Sequence, residues 1–265
     1  MSWVMGPFDR RPRGRDIVSS QMLNERTFAS VGRPAAGAAA IPRAMSLTGT
    51  IAKSLALLVV AVLTGGIGWS VGNDWFSSSS GLWWLIGYFL LIGLTIAAVS
   101  NPDMAMPAGF AYALLMGFWM GAVSRVYEEK YDGIVAQALL ASVCAFVACL
   151  VLYLIRAVRV TPKLTRVIVT ATIGIALMYF VAWILSIFGV DLLLWTSPTT
   201  GGILLSVGIC LVAAFNLFLD FAVIDAGVDR GAPVEMEWYA ALGLLSTLVW
   251  LYAELLRLIA LLRSR

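Results

Sequence analysis

Seven apolar runs dominate this chain. They lie at about 51–71, 81–99, 105–126, 133–155, 164–189, 201–224 and 238–262, and short polar breaks separate them. Each is close to the ~20 residues that a helix rising ~1.5 Å per residue needs to cross ~30 Å of hydrocarbon. In lipid every backbone polar group must be satisfied within the protein, so such runs have two solutions, helices or a closed barrel. Alternating ten-residue strands are absent, and that leaves helices. The expected fold is an all-α membrane protein, a seven-transmembrane helix bundle formed by residues 50–265. Only 12% of the 265 residues are charged, about half of the roughly 25% usual for a soluble domain.

Residues 1–49 differ from the rest. They carry seven arginines against three acids and are rich in Pro, Gly and Ala. This composition cannot bury a core and predicts a basic, mobile cytoplasmic tail. The stretch has no signal-peptide pattern of a short apolar core followed by a small-residue cleavage site. The loops 72–80 and 190–200 contain neither Lys nor Arg, whereas Arg156, Arg159, Lys163 and Arg166 cluster between the fourth and fifth runs. The excess of basic residues in cytoplasmic loops therefore places the N-terminus inside. Basic residues used in this way speak for a bilayer and against nucleic acid. Pro107, and the stretch from Ala232 to Trp238, make the starts of the third and seventh helices the least defined. Gly65, Gly66, Gly68, Gly72 and the Gly117/Gly121 pair predict close helix packing.

Several chemistries are excluded by composition. With no histidine, the chain has no Ser-His triad and no His-ligated metal. Cys144, Cys149 and Cys210 sit in apolar runs without CxxC spacing and read as packing residues. No GxSxG, HExxH or phosphate-loop sequence occurs, and Ser142 and Ser246 have no histidine to activate them. The expected protein is not an enzyme and carries no cofactor.

The polar groups at membrane depth are Gln137 in the fourth run, Asn216 and Asp220 in the sixth, and Glu254 and Arg257 in the seventh. A carboxylate at the centre of a membrane helix costs about 2.5–3.5 kcal/mol on insertion scales, so it faces a partner, a cavity or an ion path. Two arrangements are open. In one, Asp220 and Glu254 meet, share a proton and titrate as a unit, which makes a pH sensor on an ion pathway. Their ionised oxygens are also the hard ligands Ca²⁺ prefers, although two fall short of its usual ~6–8. Asn216, Arg257 and Gln137 would then stand around the pair. In the other arrangement, Arg257 neutralises Glu254 three residues away, Asn216 bonds Asp220 one turn on, and both couples merely hold the bundle. Depth arithmetic favours neither. Asp220 is 19 residues past Gly201, about 28 Å, while Glu254 is nine residues before Arg263, about 13 Å.

LDFAVIDAG (219–227) and LYAELLRLIALLR (251–263) resemble the sixth- and seventh-helix signatures of the Bax inhibitor-1 family, the transmembrane Bax inhibitor motif proteins. NPDMAMP (101–107), YDGIVAQA (131–138) and GAPVEMEWYAALGLL (231–245) look like its actinobacterial-type branch. The resemblance implies a bacterial plasma membrane protein in which the other six helices surround the C-terminal one. It also implies a pH-sensitive calcium leak whose two-aspartate sensor falls on Asp220 and, by position, Glu254. Glu replaces Asp at the second position, Arg257 stands where Asn is usual, and the second run lacks a basic residue. The alternative function is a non-conducting membrane regulator that binds another membrane protein, such as a protease or stress-response partner.

Overall fold

The computed structural model describes residues 44–78, 81–101, 104–189 and 198–265, without the side chains of 72–78, 81–85, 99 and 187. The expected tail therefore lies outside the described residues except for its last six. Seven helices follow in order: α1 Leu47–Ser78, α2 Gly81–Ser100, α3 Ala105–Lys130, α4 Ile134–Leu154, α5 Pro162–Ile187, α6 Thr200–Asp229 and α7 Met236–Arg263. No strand occurs among the described residues, only an isolated bridge between Ala44 and Pro233.

The helix starts follow local rules. Ser46 precedes α1 and its hydroxyl accepts from the Gly49 amide at 3.0 Å. Thr161 and Thr199 do the same for Leu164 and Gly202, each at 3.2 Å. Each cap satisfies an amide that has no partner within its own helix. Pro162 opens α5, where a missing N–H costs nothing. Pro107 lies in the first turn of α3 for the same reason, so it does not delay that helix. The connection before α7 is fixed from outside: the Met45 amide donates to the Ala232 carbonyl at 2.6 Å, and the helix begins at Met236.

Six helices are long and apolar enough to cross a bilayer: α1 over Leu47–Val71, α5 over Pro162–Ser186, and α3, α4, α6 and α7 over their full lengths. In α2 the apolar stretch among described side chains is shorter, Ile86–Ala98. The expectation of seven spans is thus met by six on this measure. α1 is also longer than its apolar run: the helical backbone continues to Ser78, through the segment read as a loop.

α1 and α3 pack closely because glycines remove the side chains between them. A Cβ on Gly121 would collide with the Gly65 backbone, one on Gly117 with Ala61, and one on Gly68 with the Phe118 carbonyl. Where lipid removes most of the hydrophobic drive, such backbone approach is the main source of helix association. α7 packs on α1, α3, α4 and α6. Its residues Ala241, Leu242 and Leu245 join Leu57, Ala113 and Tyr112 in one core, and its Leu244 and Leu251 join Leu217, Phe218 and Phe221 in another.

Candidate functional site

α6 and α7 are consecutive and antiparallel, so each level of the bundle pairs a residue late in one with a residue early in the other. Asp220 lies beside Gly243 and Thr247. A Cβ on Gly243 would come 3.7 Å from its Oδ1, and the Thr247 hydroxyl is its hydrogen-bonding neighbour. Its Oδ2 is buried without a partner. The 3.7 Å distance is ordinary van der Waals contact, so the carboxyl packs against the Gly243 face of α7.

Glu254 is seven residues beyond Thr247, about 10 Å further along α7, and it is 4% exposed. Its Oε1 accepts from the Tyr179 hydroxyl on α5 at 2.7 Å and from the Trp250 indole at 3.1 Å. Its Oε2 is held by Arg257 Nη2, an i,i+3 ion pair. The same guanidinium lies over the Tyr179 ring, 5.2 Å from its centroid. Cys210 on α6 faces this cluster. The structure therefore does not bring the two acids into a dyad. α6 meets α7 in a register that sets Asp220 opposite Gly243 and Thr247, and Arg257 is one turn from Glu254.

The other singled-out residues take their own places. Asn216 turns toward α5, donating to the Thr172 hydroxyl at 2.9 Å and to the Val212 carbonyl at 2.9 Å, so its amide bonds Thr172 rather than Asp220. Gln137 is exposed near the start of α4. Among the described residues, no three of His, Cys, Asp and Glu come together as a metal site. Cys149 and Cys210 are buried and Cys144 is exposed, and all three are free thiols.

Tyr179, Thr247 and Trp250 complete the site and were not singled out from the sequence, where a Tyr, Thr or Trp in an apolar run looks like any other. A second buried charge was also missed. Glu237, near the start of α7, is 3% exposed. It accepts from the Ser46 amide at 2.7 Å and the Ser46 hydroxyl at 3.0 Å, and pairs with Lys53 of α1 at 2.8 Å. Lys53 also donates to the Val234 carbonyl at 3.1 Å and lies over the Trp238 ring. Gly49 is required here, because a Cβ would meet the Glu237 carboxyl. The available signal was Lys53 itself, the sole charged residue between Arg43 and Asp74.

Long apolar helices that bury acids and their partners at membrane depth define a multi-pass membrane protein. The chain belongs to the Bax inhibitor 1 like family, whose model matches residues 15–264. No curated protein and no solved structure matches it.

Proposed function

We propose that the protein is a pH-sensitive cation leak, with Ca²⁺ as the permeant ion, in a bacterial plasma membrane. In this reading all seven helices cross the bilayer, α7 is enclosed by the other six, and the basic tail before α1 is cytoplasmic and mobile. The observation that carries it is Asp220: one carboxylate oxygen is buried on a membrane helix with no partner. A charge in that position needs either a proton or a passing cation to offset its desolvation. The two compete for the same oxygen, so proton activity sets how long a cation can rest there.

Glu254 has a different role. Its charge is already balanced by Arg257 and bonded by Tyr179 and Trp250, so it fastens α5 to α7 and shapes the path. Two acids about 10 Å apart along the bundle act as a filter position and a structural brace, a non-enzymatic arrangement.

The test is Ca²⁺ entry into dye-loaded liposomes across about pH 5 to 8, where folded proteins are generally most stable. We expect flux above protein-free vesicles that varies with pH, and Asp220→Asn to flatten the variation. Glu254→Gln keeps acceptors for Tyr179 and Trp250, so it changes the amount of flux and leaves the pH profile in place. No flux above protein-free vesicles at any pH would refute the leak.

A further inference from the structure

The connection between α4 and α5 carries charge of one sign only. From residue 133 to residue 190 there is no acid, and the four basic residues of that stretch, Arg156, Arg159, Lys163 and Arg166, fall within 11 residues. All four are exposed. The ion pairs among the described residues, Lys53–Glu237, Arg125–Glu129 and Arg257–Glu254, include none of them.

These charges have defined places, because the connection is fixed to the bundle. Val158 and Val160 pack against the core that contains Cys149, Leu217 and Phe221. The Arg156 and Ala157 amides donate to the Tyr153 and Leu152 carbonyls at 2.9 and 3.0 Å. Arg156 itself is left-handed at φ 56°, and this pairing closes α4. The Thr161 hydroxyl then takes the Leu164 amide and α5 begins.

The acids of α6 reach one of the four. Asp225 accepts from Tyr153 at 2.6 Å, and Arg156 and Asp229 lie close enough to act on the same hydroxyl. The face of α6 that looks at α5 is marked by Asn216, which bonds Thr172. Asp225 and Asp229 are nine and thirteen residues further on, turned from that face by about 180° and 220° at ~100° per residue. They look toward α4, so Arg159, Lys163 and Arg166 on the α5 side keep their charge uncompensated. The positive end of the α5 dipole adds to it.

Just inside these cations α5 offers apolar surface to lipid, with Val167 66%, Val169 42% and Ile173 54% exposed. A zwitterionic headgroup brings its own cation and is not drawn to such a cluster. A headgroup of net negative charge is, and guanidinium forks match phosphate oxygens in pairs. We propose that Arg159, Lys163 and Arg166 form a binding site for an anionic phospholipid, with its phosphate on the three cations and its acyl chains along Val169 and Ile173. The site does not depend on the leak.

The test uses the full chain in phosphatidylcholine nanodiscs doped, at equal trace fraction, with phosphatidylglycerol or phosphatidylcholine that carries a diazirine near the carboxyl end of one acyl chain. Peptide mapping after illumination compares residues 167–173 of α5 with Ile96 of α2 and Met106 of α3. The latter two are exposed at the same end of the bundle, in a stretch, 54–124, without Lys or Arg. One basic residue near an anionic surface is worth about fivefold in affinity. The phosphatidylglycerol probe should therefore label 167–173 at least about tenfold more than the phosphatidylcholine probe, while both label Ile96 and Met106 alike. Lys163→Gln/Arg166→Gln should remove most of that preference and leave the labelling of Ile96 and Met106 unchanged. Raising the ionic strength from about 0.01 M to about 1 M shortens the screening length from ~30 Å to ~3 Å and should reduce the preference of the wild type, a readout that needs no variant. Equal labelling of α5 by the two probes would overturn the proposal. So would an equal preference at Ile96 and Met106, which would mean a general field of the chain, or a preference unchanged by the double variant or by salt. Loss of the preference on adding inorganic phosphate at matched ionic strength would assign the cations to a soluble anion and refute the lipid.

Discussion

Replacing Arg257 by Met removes the cation from Glu254 and leaves a carboxylate that is 5% exposed at the side chain. The Tyr179 and Trp250 donors remain on Oε1, but Oε2 loses the Arg257 guanidinium and the Tyr179 ring loses the cation above it. Removing one member of a buried ion pair costs about 3–5 kcal/mol, because the remaining charge is uncompensated. That is a large part of the ~5–15 kcal/mol by which a native protein exceeds its unfolded state. Replacing both members tests the origin of this cost. In Glu254→Gln/Arg257→Met the Gln carbonyl still accepts from Tyr179 and Trp250 and neither charge is left. An apolar replacement of a buried pair is often neutral or stabilising, so the double variant should regain most of the loss. The assay is reversible unfolding in mixed micelles, followed by tryptophan fluorescence, for wild type, both single variants and the double. Arg257→Met as stable as wild type would refute the reasoning, because Glu254 would then need no cation. A double variant as unstable as Arg257→Met would also refute it, because the loss would come from packing of the Arg stem.

Gly121→Leu should separate α1 from α3 and destabilise by at least the ~1–3 kcal/mol of an overpacked core, whereas Gly93→Leu, where a Cβ meets open space, should leave unfolding unchanged; equal effects would remove the glycine contact as the explanation. Glu237→Gln leaves Lys53, 18% exposed, without its counter-charge and should cost about 3–5 kcal/mol. Lys53→Met/Glu237→Gln should recover most of it, measured in the same unfolding assay, and additive losses in the double variant would contradict a paired clasp.

The helical elements were legible because each lipid-crossing helix must be an apolar run of nearly fixed length. The read boundaries hold within a turn for α2, α4 and α5, but α1 continues to Ser78 and α6 to Asp229. Asn, Asp, Trp and Ser after residue 72 look like a loop, yet their backbone stays helical. The chemical inventory was legible for a similar reason: five polar residues at depth are conspicuous against an apolar background. Their partners were not. Whether Asp220 meets Glu254 depends on the register of α6 against α7, which is set by interlocking side chains along both helices and not by the acids. Nominal depths of ~28 Å and ~13 Å left both arrangements open, because tilt or a displaced helix start can bring such positions together; the structure places Asp220 beside Gly243 and Thr247. The Arg257 alternative was visible as an i,i+3 spacing. The Asn216 bond to Thr172 was not, since it joins helices that no local rule relates.

α1 and α5 are attached to the bundle by opposite means. Along its seam with α3, α1 is held by what is missing: Gly65, Gly68, Gly117 and Gly121 let two backbones touch. α5 is held to α6 by the Thr172 hydroxyl and to α7 by the Tyr179 hydroxyl, seven residues and about two turns apart on one face. Damage to the two therefore takes opposite forms. α1 is displaced by adding a few carbon atoms and tolerates no enlargement along its seam, while α5 is released by removing two oxygens and accepts almost any apolar side chain on its exposed face, away from the buried Ile168 and Ala182.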